Sequence, residues 1–182
     1  MTPLQKIAMG LVIVIIDPDI AGYDAVPDVL GWLLVVLGLI DLRERLSGFA
    51  ALVVLAVVSG GVSLLLLLPS AMGALDESTG WYLSLPYLVF CIVLCGSVAS
   101  LIAQGEATYA RRFAMLRWVF VVLVPMPALL YGGGLDALRV LVAIVGLVAV
   151  AANIYLVYLL FRVANTPPAA RSEDVRQARR SG

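Results

Sequence analysis

The stretch GFAALVVLAVVSGGVSLLLLL, from Gly48 to Leu68, contains neither a charged side chain nor a proline. A helix of that length crosses the roughly 30 Å hydrocarbon core of a bilayer, and helix is the form it predicts, because lipid offers no water to an open backbone. Three more runs read as spans: Trp81 to Gln104, Phe113 to Tyr131 and Leu138 to Phe161. Two earlier ones, Leu4 to Ile16 and Val26 to Ile40, are each too short to span comfortably and are joined by the acidic segment DPDIAGYDAVPD. They read either as two thin spans or as one re-entrant hairpin, and both return the chain to its starting side. The expected fold is all-α and integral to a membrane, with about six transmembrane helices.

Composition agrees with that reading. Hydrophobic residues make up 63% of the chain and charged residues 13%, and the mean hydropathy is +1.06. Soluble domains average about 45–50% apolar and about 25% charged, so a water-soluble fold would have nowhere to hide this surface. The 182 residues leave no room for a separate globular domain beside the helices. Residues 1–164 are expected to form one transmembrane helical domain. Residues 165–182, NTPPAARSEDVRQARRSG, are polar and led by prolines, and are expected to be a disordered cytoplasmic tail.

The net charge is zero, but the charges are segregated. With a cytoplasmic N-terminus, all of the 12 basic residues except Arg139 fall on the inner side, from Lys6, Arg43 and Arg45 through Arg111, Arg112 and Arg117 to Arg162 and the tail. The outer connections then hold Asp17, Asp19, Asp24, Asp28, Asp76, Glu77 and Asp136. Positive charge stays inside, so both ends are expected in the cytoplasm, and the location is the cell membrane. Tyr23, Trp81, Tyr82 and Tyr131 then sit at outer boundaries, with Tyr109, Tyr158 and Phe161 at inner ones, as an aromatic belt requires. No small-residue cleavage site follows the first run before Asp17, so that run is expected to stay as a helix.

The acidic connection offers the one candidate ion site. Against a twelve-residue calcium loop, Asp17, Asp19 and Asp28 occupy positions one, three and twelve, with Gly22 at the sharp turn and the Tyr23 carbonyl at position seven. Ala21 at position five and Asp24 at position eight depart from the pattern. A weak calcium site with Asp17, Asp19 and Asp28 as ligands is one reading. The simpler one is structural: Asp17-Pro18 stops a helix, Asp24 caps the next with Pro27 in its first turn, and Asp28 meets the positive end of the helix dipole. No other cofactor is expected.

The segment GLVIVIIDPDIAGYDAVPDVLGWLLVVLGLIDL, Gly10 to Leu42, resembles the N-terminal hairpin of small uncharacterised bacterial multi-pass membrane proteins. A Gly-Leu run, an acidic turn, a Pro-Asp and a Gly-rich second helix recur there. The resemblance covers roughly the first 45 residues, and it implies a fold pattern and a bacterial membrane but no activity.

Within the other runs, Ser59, Gly60, Gly61 and Ser63, then Cys91, Cys95, Gly96, Ser97 and Ser100, form small-residue patches that let helices approach closely. Cys91 and Cys95 share a helix face, but no histidine or further thiol is present to complete a metal site. Pro86, Pro125 and Pro127 interrupt apolar helices, and the Val124 to Pro127 stretch is expected to bend the fifth. Asn153, deep in the last run, is expected to bond across helices. Arg117, one turn into the fifth run, and Arg139 can each snorkel to an interface.

Function is less constrained. Histidine, a cytoplasmic carboxylate pair and a Gly-rich phosphate loop are all absent, which weakens an enzyme. Short helices and proline breaks are what transporter sites use, yet no run carries a charge at its centre to couple ions. The leading expectation is a structural or accessory membrane component. Its partners would be the lipid bilayer and another membrane protein or a second copy, with no nucleic acid; a small-solute or ion transporter or channel comes second and a membrane-embedded enzyme last.

Overall fold

The protein was analysed as a computed structural model, which describes residues 1–16, 19–20, 23–24, 28–66, 77–126 and 139–165. These form six helices: α1 (Pro3–Ile16), α2 (Asp28–Asp41), α3 (Phe49–Leu66), α4 (Glu77–Ile102), α5 (Ala107–Leu123) and α6 (Arg139–Ala164). A two-residue antiparallel pairing, β1 (Asp19–Ile20) with β2 (Tyr23–Asp24), lies between α1 and α2. The architecture is otherwise all-helical. Among the described residues two segments are long and apolar enough to cross a membrane, Tyr82–Ile102 in α4 and Ala143–Ala164 in α6.

Helix α5 departs most from expectation, because it begins at Ala107 rather than Phe113. The intervening ATYARR is rich in good helix formers, so the helix extends past the apolar run that revealed it. Its regular part ends at Leu123, with Val124 as C-cap. A turn at Val124 and Pro125, which lacks an N–H to continue the ladder, interrupts the helix where a bend was expected, helical geometry returns at Met126, and residues 127–138 lie outside the described residues. Pro86, by contrast, sits inside an unbroken α4.

Each helix packs on its neighbours in sequence, and α6 closes back on α1, so the six form a ring. Their directions alternate, as contacts at one end show. Lys6 Nζ at the start of α1 pairs with Asp41 Oδ2 at the end of α2, at 2.6 Å. Ser97 near the end of α4 donates to the Ser47 carbonyl at 2.6 Å, just before α3. Arg162 Nε near the end of α6 donates to the Tyr109 hydroxyl near the start of α5, at 3.3 Å. Gln5 Nε2 donates to Asn165 Oδ1 at 2.7 Å and seals the ring. Asn165, expected to open the tail, therefore belongs to the helical body, while 166–182 lie outside the described residues. The N-terminus and residue 165 share the end that also carries Lys6, Arg43, Arg45, Arg111, Arg112 and Arg162.

Helix α2 is apolar on both faces. Trp32, Val35 and Leu39 point into the ring, whereas Leu30, Leu33, Leu37 and Ile40 point out. Apolar pattern therefore does not choose its inner face; glycine does. A Cβ on Gly10 would stand 2.4 Å from the Gly31 carbonyl oxygen, and one on Gly31 would stand 2.6 Å from the Gly10 carbonyl oxygen. About two turns further on, a Cβ on Gly38 would meet Ile7 at 2.7 Å and the Pro3 carbonyl at 2.8 Å. The backbones of α1 and α2 touch, and only hydrogen fits between them. The Gly-rich second helix noted in the sequence thus has a steric cause.

The core runs through the ring. Phe90, Leu94, Phe113, Phe120, Leu156, Leu159 and Leu160 are buried there. Trp32 packs edge-on to Tyr87 (centroids 5.9 Å apart) and Phe90 (5.4 Å). It also lies over Gly60 of α3, where a Cβ would come within 3.1 Å of its own.

Candidate functional site

Helices α1 and α2 have 14 residues each, about 21 Å of helix, beside α4 and α6 with 26 each, about 39 Å. Where the short pair ends, the ring interior holds a half-open cavity of ≈ 330 Å³. Val14 and Ile15 of α1, Trp32 of α2, Ser59, Val62 and Ser63 of α3, Leu83, Ser84 and Tyr87 of α4, and Val150 and Asn153 of α6 line it. It lies in the half of the ring away from the Gln5 to Asn165 contact. Its volume lies within the range of small-molecule pockets, about 300–1,000 Å³.

The lining is apolar, with a few polar groups in two different states. On one side they are satisfied: the Tyr87 hydroxyl donates to Asn153 Oδ1, the Cys91 thiol approaches the same oxygen at 3.9 Å, and Asn153 Nδ2 donates to the Ala149 carbonyl at 2.9 Å, one turn back. The interhelical role expected of Asn153 is observed, with Tyr87 of α4 as its partner. On the other side, Trp32 Nε1 and Ser59 Oγ are buried and have no hydrogen-bond partner among the described residues. Each residue is only 4% exposed, and both border the cavity. Asp28, half-buried in the first turn of α2, lies close enough to act electrostatically on Tyr87.

Two buried polar atoms without partners stand out because such groups are nearly always bonded. Trp32 Nε1 can only donate, and Ser59 can donate or accept. A molecule completing the site must therefore present an acceptor to Trp32. The lining supplies hydroxyls, an amide and an indole, which bind and orient, and no histidine or lysine to act as a base.

The acidic connection is only partly described. Asp17 lies outside the described residues, Asp19 pairs in the backbone ladder with Asp24, and Asp28 opens α2. The ladder corrects one expectation: Asp24 sits in a strand rather than at the cap of α2, because pairing with Asp19 holds it away from the helix start. Among the described residues no group of three His, Cys, Asp or Glu side chains gathers to hold an ion.

Sequence reading singled out Ser59, Ser63 and Asn153 as packing residues and missed Trp32 and Tyr87. A tryptophan and a tyrosine inside otherwise aliphatic runs were the available signal, since both bring a polar tip that needs a partner when buried.

Set against known proteins, the chain matches no family model, no curated protein and no solved structure.

Proposed function

We propose that the chain is a six-span membrane protein with both ends in the cytoplasm, whose helix ring binds a small uncharged molecule bearing acceptor oxygens, admitted from the outer side. Membrane placement is supported by the ring's exterior. Val54, Val57, Val58, Leu64 and Leu65 of α3, and Ile144, Leu147, Val148 and Ile154 of α6, all face outward. Contiguous apolar surface on this scale is foreign to soluble monomers. Orientation is supported by the basic residues gathered at the end that holds both chain ends.

The ligand reading rests on one observation, the two partnerless polar atoms Trp32 Nε1 and Ser59 Oγ beside one cavity. Leaving each unsatisfied costs about 1–3 kcal/mol, which a carbonyl or ether oxygen would recover. The lining holds no carboxylate and no basic side chain, which favours a neutral molecule. A small-molecule carrier or sensor follows more directly from this than an enzyme does.

The test is mass spectrometry of the protein released intact from mild detergent. A bound small molecule is expected with the wild type and should be lost in Trp32→Phe and in Ser59→Ala, with thermal melts to check that both variants are folded. A cavity occupied by water alone in every variant would end the ligand reading. Independently, reporters fused after Gly182 and between Arg43 and Gly48 should read cytoplasm, and one near Asp76 should read outside. An outside signal at Gly182 would mean an odd number of spans.

A second reading, an accessory component packed against another membrane protein or a second copy, is favoured by Met115 and Trp118. These are 65% and 68% exposed on the outside of α5. Crosslinking from those positions would capture a neighbour if that reading holds.

A further inference from the structure

Arg117 does not extend freely from α5 but lies across α4. A Cβ placed on Gly96 would stand 3.3 Å from Arg117 Nη1, 3.6 Å from Cζ and 3.7 Å from Cδ. The side chain from Cδ outward thus follows the α4 backbone where glycine leaves room. From Ile102 at the end of α4 back to Gly96 is about 9 Å of helix, and from Ala107 to Arg117 is about 15 Å. The guanidinium is therefore displaced by about 6 Å from its own Cα level toward the basic end of the ring, the direction in which helical side chains lean and basic ones snorkel.

This charge has no counterpart among the described residues. Arg117 is exposed and makes no hydrogen bond or ion pair with a described residue. Its electrostatic neighbour is the thiol of Cys95. Helix α5 carries no acidic residue, and the one acid in α4, Glu77, is at the opposite end. Glu106, in the connection between the two helices, does not pair with it either. A planar fork of donors, seated in an interhelical groove just below the basic end, matches a phosphate better than any other membrane component.

We infer that the groove between α4 and α5, with Arg117 lying on Gly96, seats the phosphate of an anionic phospholipid of the inner leaflet. The site rests on the membrane placement proposed above and is separate from the cavity. Arg117 supplies the charge. Gly96 supplies the seat, because a Cβ there already stands 3.3 Å from Nη1 and a branched side chain would push the guanidinium off α4.

Full-length protein in mild detergent, titrated with phosphatidylglycerol or phosphatidylcholine and read by native mass spectrometry, tests it. Phosphatidylglycerol should bind about fivefold more tightly, the worth of one arginine beside an anionic headgroup. Arg117→Leu should erase that preference, and Arg117→Lys should keep part of it. Gly96→Val, which leaves every charge in place, should weaken it too, while Arg45→Gln should not; thermal melts confirm that each variant is folded. Equal affinity for the two lipids, unchanged preference in Arg117→Leu and Gly96→Val, or displacement by millimolar inorganic phosphate would overturn the site. A protein that stays in solution without detergent would instead remove the membrane placement, and the lipid site with it.

Discussion

Helices α1 and α2 meet backbone to backbone, whereas α4 and α6 meet through a hydrogen bond beside a cavity. Both pairs are built from nearly the same aliphatic residues. In the first, Gly10, Gly31 and Gly38 remove the side chains from the seam and the carbonyls fill the space. In the second, Tyr87 reaches Asn153 across a gap that side chains do not close. Apolar composition thus sets the environment of a helix but not its neighbour distance; glycine and isolated polar groups set that. A seam without spare volume tolerates no added atom, while the cavity side has slack that a ligand can use.

The contrast breaks first at the seam. Gly31→Leu forces a side chain against the Gly10 carbonyl and should cost about 3 kcal/mol or more, seen as a large fall in melting temperature in detergent. Melting like the wild type would show that glycine does not position the hairpin. Next comes the polar link. Asn153→Leu leaves the Tyr87 hydroxyl without its acceptor and should cost about 1–2 kcal/mol, with Tyr87→Phe nearer 0.6 kcal/mol. The double variant should cost less than the sum, since the two side chains share one bond. At the basic end, Lys6→Gln removes a partly exposed ion pair with Asp41 and should cost less than about 1 kcal/mol, shrinking further in high salt.

The smallest effect is the most informative about the cavity. Ser59→Ala removes a buried hydroxyl that bonds to no described residue, so ligand-free protein should melt no lower and, with the desolvation penalty relieved, slightly higher. A clear loss, appearing only when a co-purified molecule is present, would locate that molecule on Ser59.

Much of the helical layout was legible in the chain. The apolar runs at Leu4 to Ile16, Gly48 to Leu68 and Leu138 to Phe161 became α1, α3 and α6 with ends shifted by a few residues, because a long apolar run has one favourable backbone form. Asn153 was legible as a bridge because a lone amide among aliphatic residues must find a partner. Trp32 and Tyr87 were not read as site residues. Nothing in their local sequence says that α2 and α4 face each other across α3, or that the Tyr87 hydroxyl finds an acceptor and the Trp32 indole does not. Asp24 was misassigned because a cap and a strand residue look alike until the pairing with Asp19 is known.

By itself the sequence determined that the chain is helical and far more apolar than the average soluble domain, and that all but one of its basic residues lie in or beside alternate connections. Those properties are local sums over residues and need no partner. Only the tertiary structure decided that six helices close into a ring, that glycines bring α1 and α2 into backbone contact, and that Trp32 and Ser59 share an unfilled space while Arg117 is laid on Gly96. Each of these depends on which faces meet, and helices apolar on both faces carry no mark of that choice until packing makes it.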